Sequence, residues 1–154
     1  MKKIVCLIDD LCPGGAQRQL VGLAYLLKES GYDISVMTYH NDSFYMPVLS
    51  DNGIPHVYDS SFESPLRRIP LIASRIKKMA PDVVIAYQES PSLIACCSKL
   101  LSGRFKLIVS ERNTTQYIGM NERLRFFLYK FADTIVPNSH SQEAFLRTHY
   151  PAFD

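Results

Sequence analysis

Four short stretches hold side chains fit for chemistry, and each follows an apolar run of strand length. In DDLCPGGAQRQ, residues 9–19, Gly14 and Gly15 precede a patterned apolar segment. Glycine there lets backbone N–H groups approach an anion at a helix N-terminus, where the macrodipole also favours negative charge. It equally serves an ordinary turn that needs positive φ, and spacing alone does not separate the two readings. The stretch is neither a GxGxxG dinucleotide fingerprint nor a P-loop, since no Lys-Ser/Thr follows the glycines. YQESPS, Tyr87–Ser92, offers Gln88 and Glu89 to ligand hydroxyls, or else is a solvated loop that caps a helix. SERNTTQ, Ser110–Gln116, sets an acceptor, a fixed cation and an amide side by side in Glu111, Arg112 and Asn113. That set suits hydroxyl or phosphate recognition; an internal Glu111–Arg112 ion pair is the plain alternative. PNSHSQ, Pro137–Gln142, reads as the cap of a following helix.

Other reactive side chains have no partner in the sequence. His40 follows a strand and can face a ligand, whereas His56, His140 and His149 read as surface or packing residues. No Ser-His-Asp or Cys-His arrangement follows from spacing. Cys6, Cys12, Cys96 and Cys97 show no CxxC spacing and read as buried free thiols, with no metal site. A net charge of +2 gives no case for nucleic acid. Arg67, Arg68, Arg75, Lys77 and Lys78 form a local basic cluster, with Arg68, Arg75 and Lys78 on one helical face. A solvated face is the default for such a run. Peripheral contact with an anionic membrane is the sharper reading.

The elements that must position these stretches alternate along the chain. Apolar runs at Ile4–Ile8, Ile34–Thr38, Val57–Tyr58, Val83–Ala86, Leu107–Val109 and Thr134–Val136 are mostly continuous, as in strands buried on both faces of a parallel sheet. Between them lie helical patterns. Ala16, Leu20, Leu23, Ala24 and Leu27 form one apolar stripe, with Gln17, Arg18, Gln19 and Lys28 mostly on the other side, and Gly31 ends that helix. Leu66, Ile69, Ile72, Ile76 and Met79 form a second, in which Pro70 predicts a kink or a late start. A third helix runs from Pro91 to Leu101 with Ser90 as its cap. Asn121 caps a fourth over Glu122–Phe131, and Ser139 with Gln142 makes a capping box for a fifth, to about His149.

This alternation predicts an α/β domain: a Rossmann-like, open, mostly parallel sheet with helices on both faces. At 154 residues the chain reads as a single domain, large enough for a full core. No apolar run approaches the ~18 residues of a membrane span. The apolar part of MKKIVCLIDDLC is too short for a signal peptide and reads as the first buried strand of a cytoplasmic protein. The sequence stops at HYPAFD, just after a helix and where a strand would normally follow, as if cut short.

Together, PGGAQRQLVGLAYLLKESGYDISVMT, PDVVIAYQE, KLIVSERN and ADTIVPNSHSQEAFL resemble the N-terminal, acceptor-binding half of a family 4 glycosyltransferase of GT-B fold. The likeness is to bacterial members that build surface polysaccharides and lipid-linked oligosaccharides. It implies two Rossmann-like domains facing across a cleft, with transfer that retains anomeric configuration and needs no metal in the protein. Residues 1–154 would be the N-terminal domain. The C-terminal domain, which mainly binds the nucleotide-sugar, would lie outside them, so this segment alone is expected to be inactive. By the same resemblance, Gly14 and Gly15 lie near the donor diphosphate, and Gln17 and Arg18 open the first helix beside the cleft. Gln88, Glu89, Arg112 and Asn113 line the acceptor side. Many relatives carry a histidine after the fourth strand, where this chain has Tyr87-Gln88-Glu89, so no catalytic residue is assigned in this half.

The resemblance implies a nucleotide-sugar as substrate rather than a cofactor, and a glycan or lipid-linked saccharide as acceptor. It places the work in the cytoplasm, at the inner face of the membrane. Two alternatives stay open on the residues alone: a non-catalytic binding subunit of a split glycosyltransferase, and a Rossmann-like domain for another phosphorylated small molecule.

Overall fold

The computed structural model describes residues 1–112 and 119–149. Six strands, β1 (Lys3–Leu7), β2 (Asp33–Met37), β3 (His56–Val57), β4 (Val83–Tyr87), β5 (Lys106–Ser110) and β6 (Thr134–Val136), form one sheet in the order β3-β2-β1-β4-β5-β6. Every pairing is parallel. The predicted runs match these strands to within a residue or two. Six α-helices connect them: α1 (Gly15–Glu29), α2 (Met46–Asp51), α3 (Arg68–Met79), α4 (Glu89–Ser102), α5 (Met120–Tyr129) and α6 (His140–His149). Short α2 and a 3-10 turn at Ser60–Glu63 are additions to the expected set.

Alternation along β1 divides the core. Val5 and Leu7 point to one face, where Ile72, Ile76, Ala95, Phe126, Tyr129 and Leu146 of α3–α6 cover them. Ile4, Cys6 and Ile8 point to the other, under Leu20, Val21 and Ala24 of α1 and Leu49 of α2. Both side-chain sets are apolar because both faces are covered, which is why β1 reads as a continuous run. Helices thus lie on both faces, as expected.

The ends of the helices follow local chemistry, with some corrections. Gly31, at φ +83°, closes α1: its N–H donates to Lys28 (3.0 Å) and the Tyr32 N–H to Leu27 (3.1 Å), both to carbonyl oxygens. Pro70 sits in the first turn of α3, where its missing N–H leaves no bond unmade, so the late start is correct. Leu66 stands outside that helix and is 94% exposed, so it leaves the predicted stripe. Helix α4 begins at Glu89 with Gln88 at its N-cap, so Ser90 and Pro91 occupy its first turn and Ser90 is no cap. Helix α5 begins at Met120, and Asn121 lies inside it. The cap position is Gly119, whose N–H donates to the Glu122 carboxylate at 2.9 Å. At α6 the Ser139 hydroxyl accepts from the Gln142 N–H (3.2 Å), the forward half of the predicted box. Gln17 was expected on the polar side of α1, yet it is 5% exposed.

Three polar side chains are sealed under the C-terminal end of β5. Glu111 is fully buried and accepts from the Tyr129 hydroxyl. Arg125 of α5, also buried, brings Nη2 to 3.7 Å of Glu111 Oε2, an ion pair too long for a hydrogen bond. Burial raises the Glu111 carboxyl above its ordinary value, and neither the Tyr129 hydrogen bond nor Arg125 cancels that. Arg125 shifts the opposite way in charge. Burial disfavours its cation, but Glu111, Tyr129 and Glu89 outweigh it. Both groups are thus raised, which favours the neutral acid at Glu111 and the cation at Arg125, because Glu111 meets one distant guanidinium nitrogen whereas Arg125 meets two carboxylates.

The linkage has a definite sign. A carboxyl raised on folding binds its proton more tightly in the folded state, so stability falls as pH climbs from the ordinary Glu range through the folded value. Urea unfolding of the parent and of Glu111→Gln across that window should show a steeper loss for the parent. Equal slopes would show that Glu111 titrates as in the unfolded chain.

Candidate functional site

Because all strands are parallel, all six C-terminal ends meet one edge of the sheet. The chain runs from β1 outward to β3, then returns to β4 on the other side of β1, so its order reverses there. Such a switch point splays the connecting loops and leaves a crevice. A cleft of about 290 Å³ occupies it, lined by Asp9, Ala16, Gln88, Glu89, Ser90, Pro91 and Arg112.

Asp9, two residues beyond β1, is the hub of the cleft floor. Its carbonyl accepts from the N–H groups of Tyr39 (3.1 Å) and His40 (2.9 Å), tying the β1 loop to the β2 loop. Its carboxylate accepts from the Asp10 N–H at 2.9 Å and from Gln17 Nε2 at 3.4 Å. With the Gln88 amide oriented as the hydrogen-bond network requires, its nitrogen donates to both Asp9 oxygens, at 3.0 and 2.7 Å. Burial raises the Asp9 carboxyl, against the lowering by the Asp10 N–H. Asp10 goes the other way. Burial raises it, but hydrogen bonds from Cys12 and Gln17 prevail and hold it below the usual range. The Cys12 thiol, hydrogen-bonded to Asp10 and partly desolvated, is pushed up to about 11, which makes it a poor nucleophile.

Gln88 holds its place at a conformational cost. It has φ +75° and ψ 172°, a region that residues with a Cβ rarely occupy and that costs about 1–3 kcal/mol. The surrounding bonds compensate. Its N–H donates to the Ser110 carbonyl (3.2 Å), and its own carbonyl accepts from the Ser92 hydroxyl at 2.5 Å. The strained backbone turns the side chain toward Asp9 at the point where α4 starts.

The SERN stretch divides its labour and does not form the alternative Glu111–Arg112 pair. Glu111 points down to Tyr129 and Arg125, whereas Arg112 points into the cleft. The Arg112 guanidinium lies 4.2 Å from the centroid of the Tyr87 ring and donates through Nη1 to Gln19 Oε1 (2.8 Å). Stacking and hydrogen bonding leave a fixed cation at the cleft wall. Glu89, which also lines the cleft, is ion-paired to Arg125. Asn113 lies outside the described residues.

Gly14 and Gly15 have no positive φ, so the positive-φ turn is ruled out for both. A Cβ on Gly14 would overlap Gln17 Oε1, whereas Gly15 faces open space. Gly14 thus makes room for Gln17, whose amide donates to Asp10 Oδ1 (2.9 Å) and reaches Cys12 Sγ (3.4 Å). The N-terminus of α1 carries no side-chain cap, and Ala16 of its first turn lines the cleft. Arg18 is exposed on α1.

The structure therefore brings Gln88, Glu89 and Arg112 into one cleft beside the start of α1, with Gln17 supporting its floor. It does not bring the basic cluster there. Arg68 donates to the carbonyls of Phe62 (2.8 Å) and Glu63 (2.9 Å) and stacks 4.2 Å from the Tyr39 ring, which makes it a clamp on the 3-10 turn. Arg75 and Lys78 are exposed and line a separate hollow of about 230 Å³ with Tyr58 and Asp59. Of the four free cysteines, Cys6 and Cys96 are buried, and Cys12 and Cys97 are partly so. Asp9 and Tyr87 were missed in the sequence. Both sit where a predicted strand ends, which is where ligands meet such sheets, and that position was the available signal.

Gly14→Ala should expel the Gln17 amide from the aspartates and cost about 1–2 kcal/mol in urea unfolding. In a Gln17→Ala background the same change should cost far less, since the two residues share one contact. Additive costs would separate Gly14 from Gln17.

Comparison with known proteins agrees with this geometry. The profile of Glycosyltransferase Family 4 matches residues 13–153. An enzyme of Campylobacter jejuni, GalNAc-alpha-(1->4)-GalNAc-alpha-(1->3)-diNAcBac-PP-undecaprenol alpha-1,4-N-acetyl-D-galactosaminyltransferase, is 26% identical over 147 residues, 88% of this chain and 40% of that enzyme. A glycosyltransferase from Rickettsia africae superposes with a TM-score of 0.76 at 18% identity, over 97% of this chain and 40% of that one. Anabaena HepE in complex with UDP and glucose superposes with a TM-score of 0.74 at 18% identity, over 96% and 41%. The chain thus spans about 40% of the length of these relatives. Its six-stranded parallel sheet is the Rossmann-like fold of GT-B glycosyltransferase domains, and the chain belongs to Glycosyltransferase Family 4.

Proposed function

We propose that this chain is the acceptor-side domain of a retaining glycosyltransferase, which moves a sugar from a nucleotide-sugar to a lipid-linked or growing cell-surface glycan. The observation that carries this reading is the cleft at the β1–β4 switch. There a stacked cation (Arg112), a carboxylate (Glu89) and a strained amide (Gln88) converge beside an uncapped helix start. Such a mixture suits a polyhydroxylated ligand with a phosphate nearby. The lipid-linked substrate named for the Campylobacter relative supports the acceptor class. Anabaena HepE, bound to UDP and glucose, supports the donor class.

In this reading a second domain holds most of the nucleotide-sugar, and residues 1–154 by themselves do not turn over. The bond between the anomeric carbon and the diphosphate breaks as the acceptor hydroxyl oxygen bonds to that carbon, and the hydroxyl proton passes to the departing diphosphate oxygen. The oxocarbenium-like transition state is stabilised mainly by the departing diphosphate and the donors around it. N–H groups at the start of α1, around Gly14 and Gly15, contribute to that field, with Gln17 and Arg18 beside them. Gln88, Glu89, Arg112 and Asn113 hold the acceptor.

No helix among the described residues is long and apolar enough to cross a membrane. The lipid-linked acceptor is then reached by peripheral contact at the inner membrane face. Arg75 and Lys78 are its exposed cations, and Arg68, committed to its clamp, adds less. Sedimentation with anionic phosphatidylglycerol vesicles should pull the protein down, with neutral phosphatidylcholine vesicles as the control. Arg75→Ala with Lys78→Ala should weaken that by roughly tenfold or more, at about 1 kcal/mol per cation near the surface. Failure to bind anionic vesicles ends the membrane contact.

Arg112 provides the test of the cleft. Arg112→Ala in the full-length enzyme should raise the acceptor KM about tenfold or more, equivalent to about 1.4 kcal/mol. Unchanged activity and acceptor affinity would remove Arg112 from the site.

A further inference from the structure

Arg125 reaches the cleft only through another residue. It lies on α5, its side chain is 4% exposed, and its guanidinium spans two carboxylates. One belongs to Glu89, a cleft-lining residue with a 37% exposed side chain, and the other to Glu111, which is sealed in the core. The fork is held from beneath as well, because the Tyr129 hydroxyl fixes Glu111. The Phe126 ring lies 4.9 Å from the Arg125 guanidinium carbon. A flexible Glu at a helix start normally samples several rotamers and loses that freedom on binding a ligand. Here a buried cation has already removed it.

We propose that Arg125 is a positioning residue for acceptor binding, holding the Glu89 side chain in one orientation, aimed at a sugar hydroxyl. The inference rests on the functional reading above. A carboxylate accepts hydrogen bonds only, so the group placed there by Arg125 takes neutral hydroxyl or amide N–H donors. A sugar carboxylate presented to Glu89 would meet like charge. The part of the lining formed by Glu89 therefore selects an uncharged sugar ring, and Arg112 of the same cleft is the place for anionic groups. Glu111 and Tyr129 serve this arrangement from the core. They keep the second arm of the fork occupied, so that the guanidinium cannot swing away from Glu89.

The test is a double-mutant cycle in the full-length enzyme containing this domain. The probes are UDP-N-acetylgalactosamine and UDP-glucose as donors, with polyprenyl-diphosphate-linked saccharides built of uncharged sugars as acceptors. Arg125→Met should raise the acceptor KM about tenfold and leave the donor KM within about twofold. Glu89→Gln should raise the acceptor KM to a similar degree. The double variant should show about the same tenfold loss rather than the hundredfold loss of independent sites.

Where Arg125→Met folds poorly, Arg125→Lys replaces it. A single ammonium keeps the buried charge but cannot span both carboxylates, so it should retain more stability and still raise the acceptor KM. An unchanged acceptor KM in a folded Arg125 variant overturns the proposal, and so do multiplicative effects in the cycle. A parent enzyme that transfers no sugar from either donor overturns the functional reading instead, and this inference with it.

Discussion

The pairing of β1 with β4 is the constraint on which the rest of the site depends. The two strands lie far apart in sequence, yet Ile4–Leu7 pair in register with Val83–Ala86. That register brings Asp9, just past β1, within hydrogen-bonding distance of Gln88, just past β4. A slip of one residue would exchange the two faces of a strand buried on both sides. It would also carry Gln88 away from the carboxylate that it contacts. The register is held by packing: Val5 and Leu7 lie in one core, and Cys6 and Ile8 in the other, all fully buried. The hydrophobic effect thus fixes a polar geometry at the strand ends.

Polar groups around the cleft form two connected sets. Gln17, Asp9, Asp10 and Gln88 make the floor. Glu89, Arg125, Glu111 and Tyr129 make one wall and its support. The buried charged groups among them, Glu111 and Arg125, would each cost several kcal/mol if left unpaired. Pairing them therefore both stabilises the fold and limits the rotamers that the cleft presents. Preorganisation of this kind reduces the entropy lost when a ligand binds. The strained backbone of Gln88 belongs to the same design, since its cost is offset by bonds to Ser110 at the end of β5 and from Ser92 of α4.

Corrections to the sequence reading share one cause. Gln17 was set on the polar side of α1 because amides are usually solvated. It is buried because two aspartates from the preceding loop await its nitrogen. An ion pair between Glu111 and Arg112 is the plain alternative to a ligand-binding role, and it does not form, because consecutive residues past a strand end point in different directions. Glu111 turns into the core toward α5, and Arg112 turns to the cleft. Ser90 looked like a cap because serine favours that position. With the strained Gln88 at the N-cap, the helix instead begins two residues earlier, at Glu89.

Much of the fold was legible in the sequence alone. Continuous apolar runs marked the inner strands β1, β2, β4 and β5, because parallel strands covered on both faces need apolar side chains, whereas the edge strands β3 and β6 are short and less buried. Stripes of period 3.6 and a glycine after the last turn marked α1, since those patterns are dictated by local geometry. The identity of Gln88, Glu89 and Arg112 as strand-end residues was legible for the same reason. What touches them was not. Asp9 with Gln88, Arg112 with Tyr87 and Gln19, and Arg125 with Glu89 are contacts between residues distant in the chain. Only the folded sheet decides which loops become neighbours, and hydrogen bonds and ion pairs act over a few ångströms in space whatever the separation in sequence.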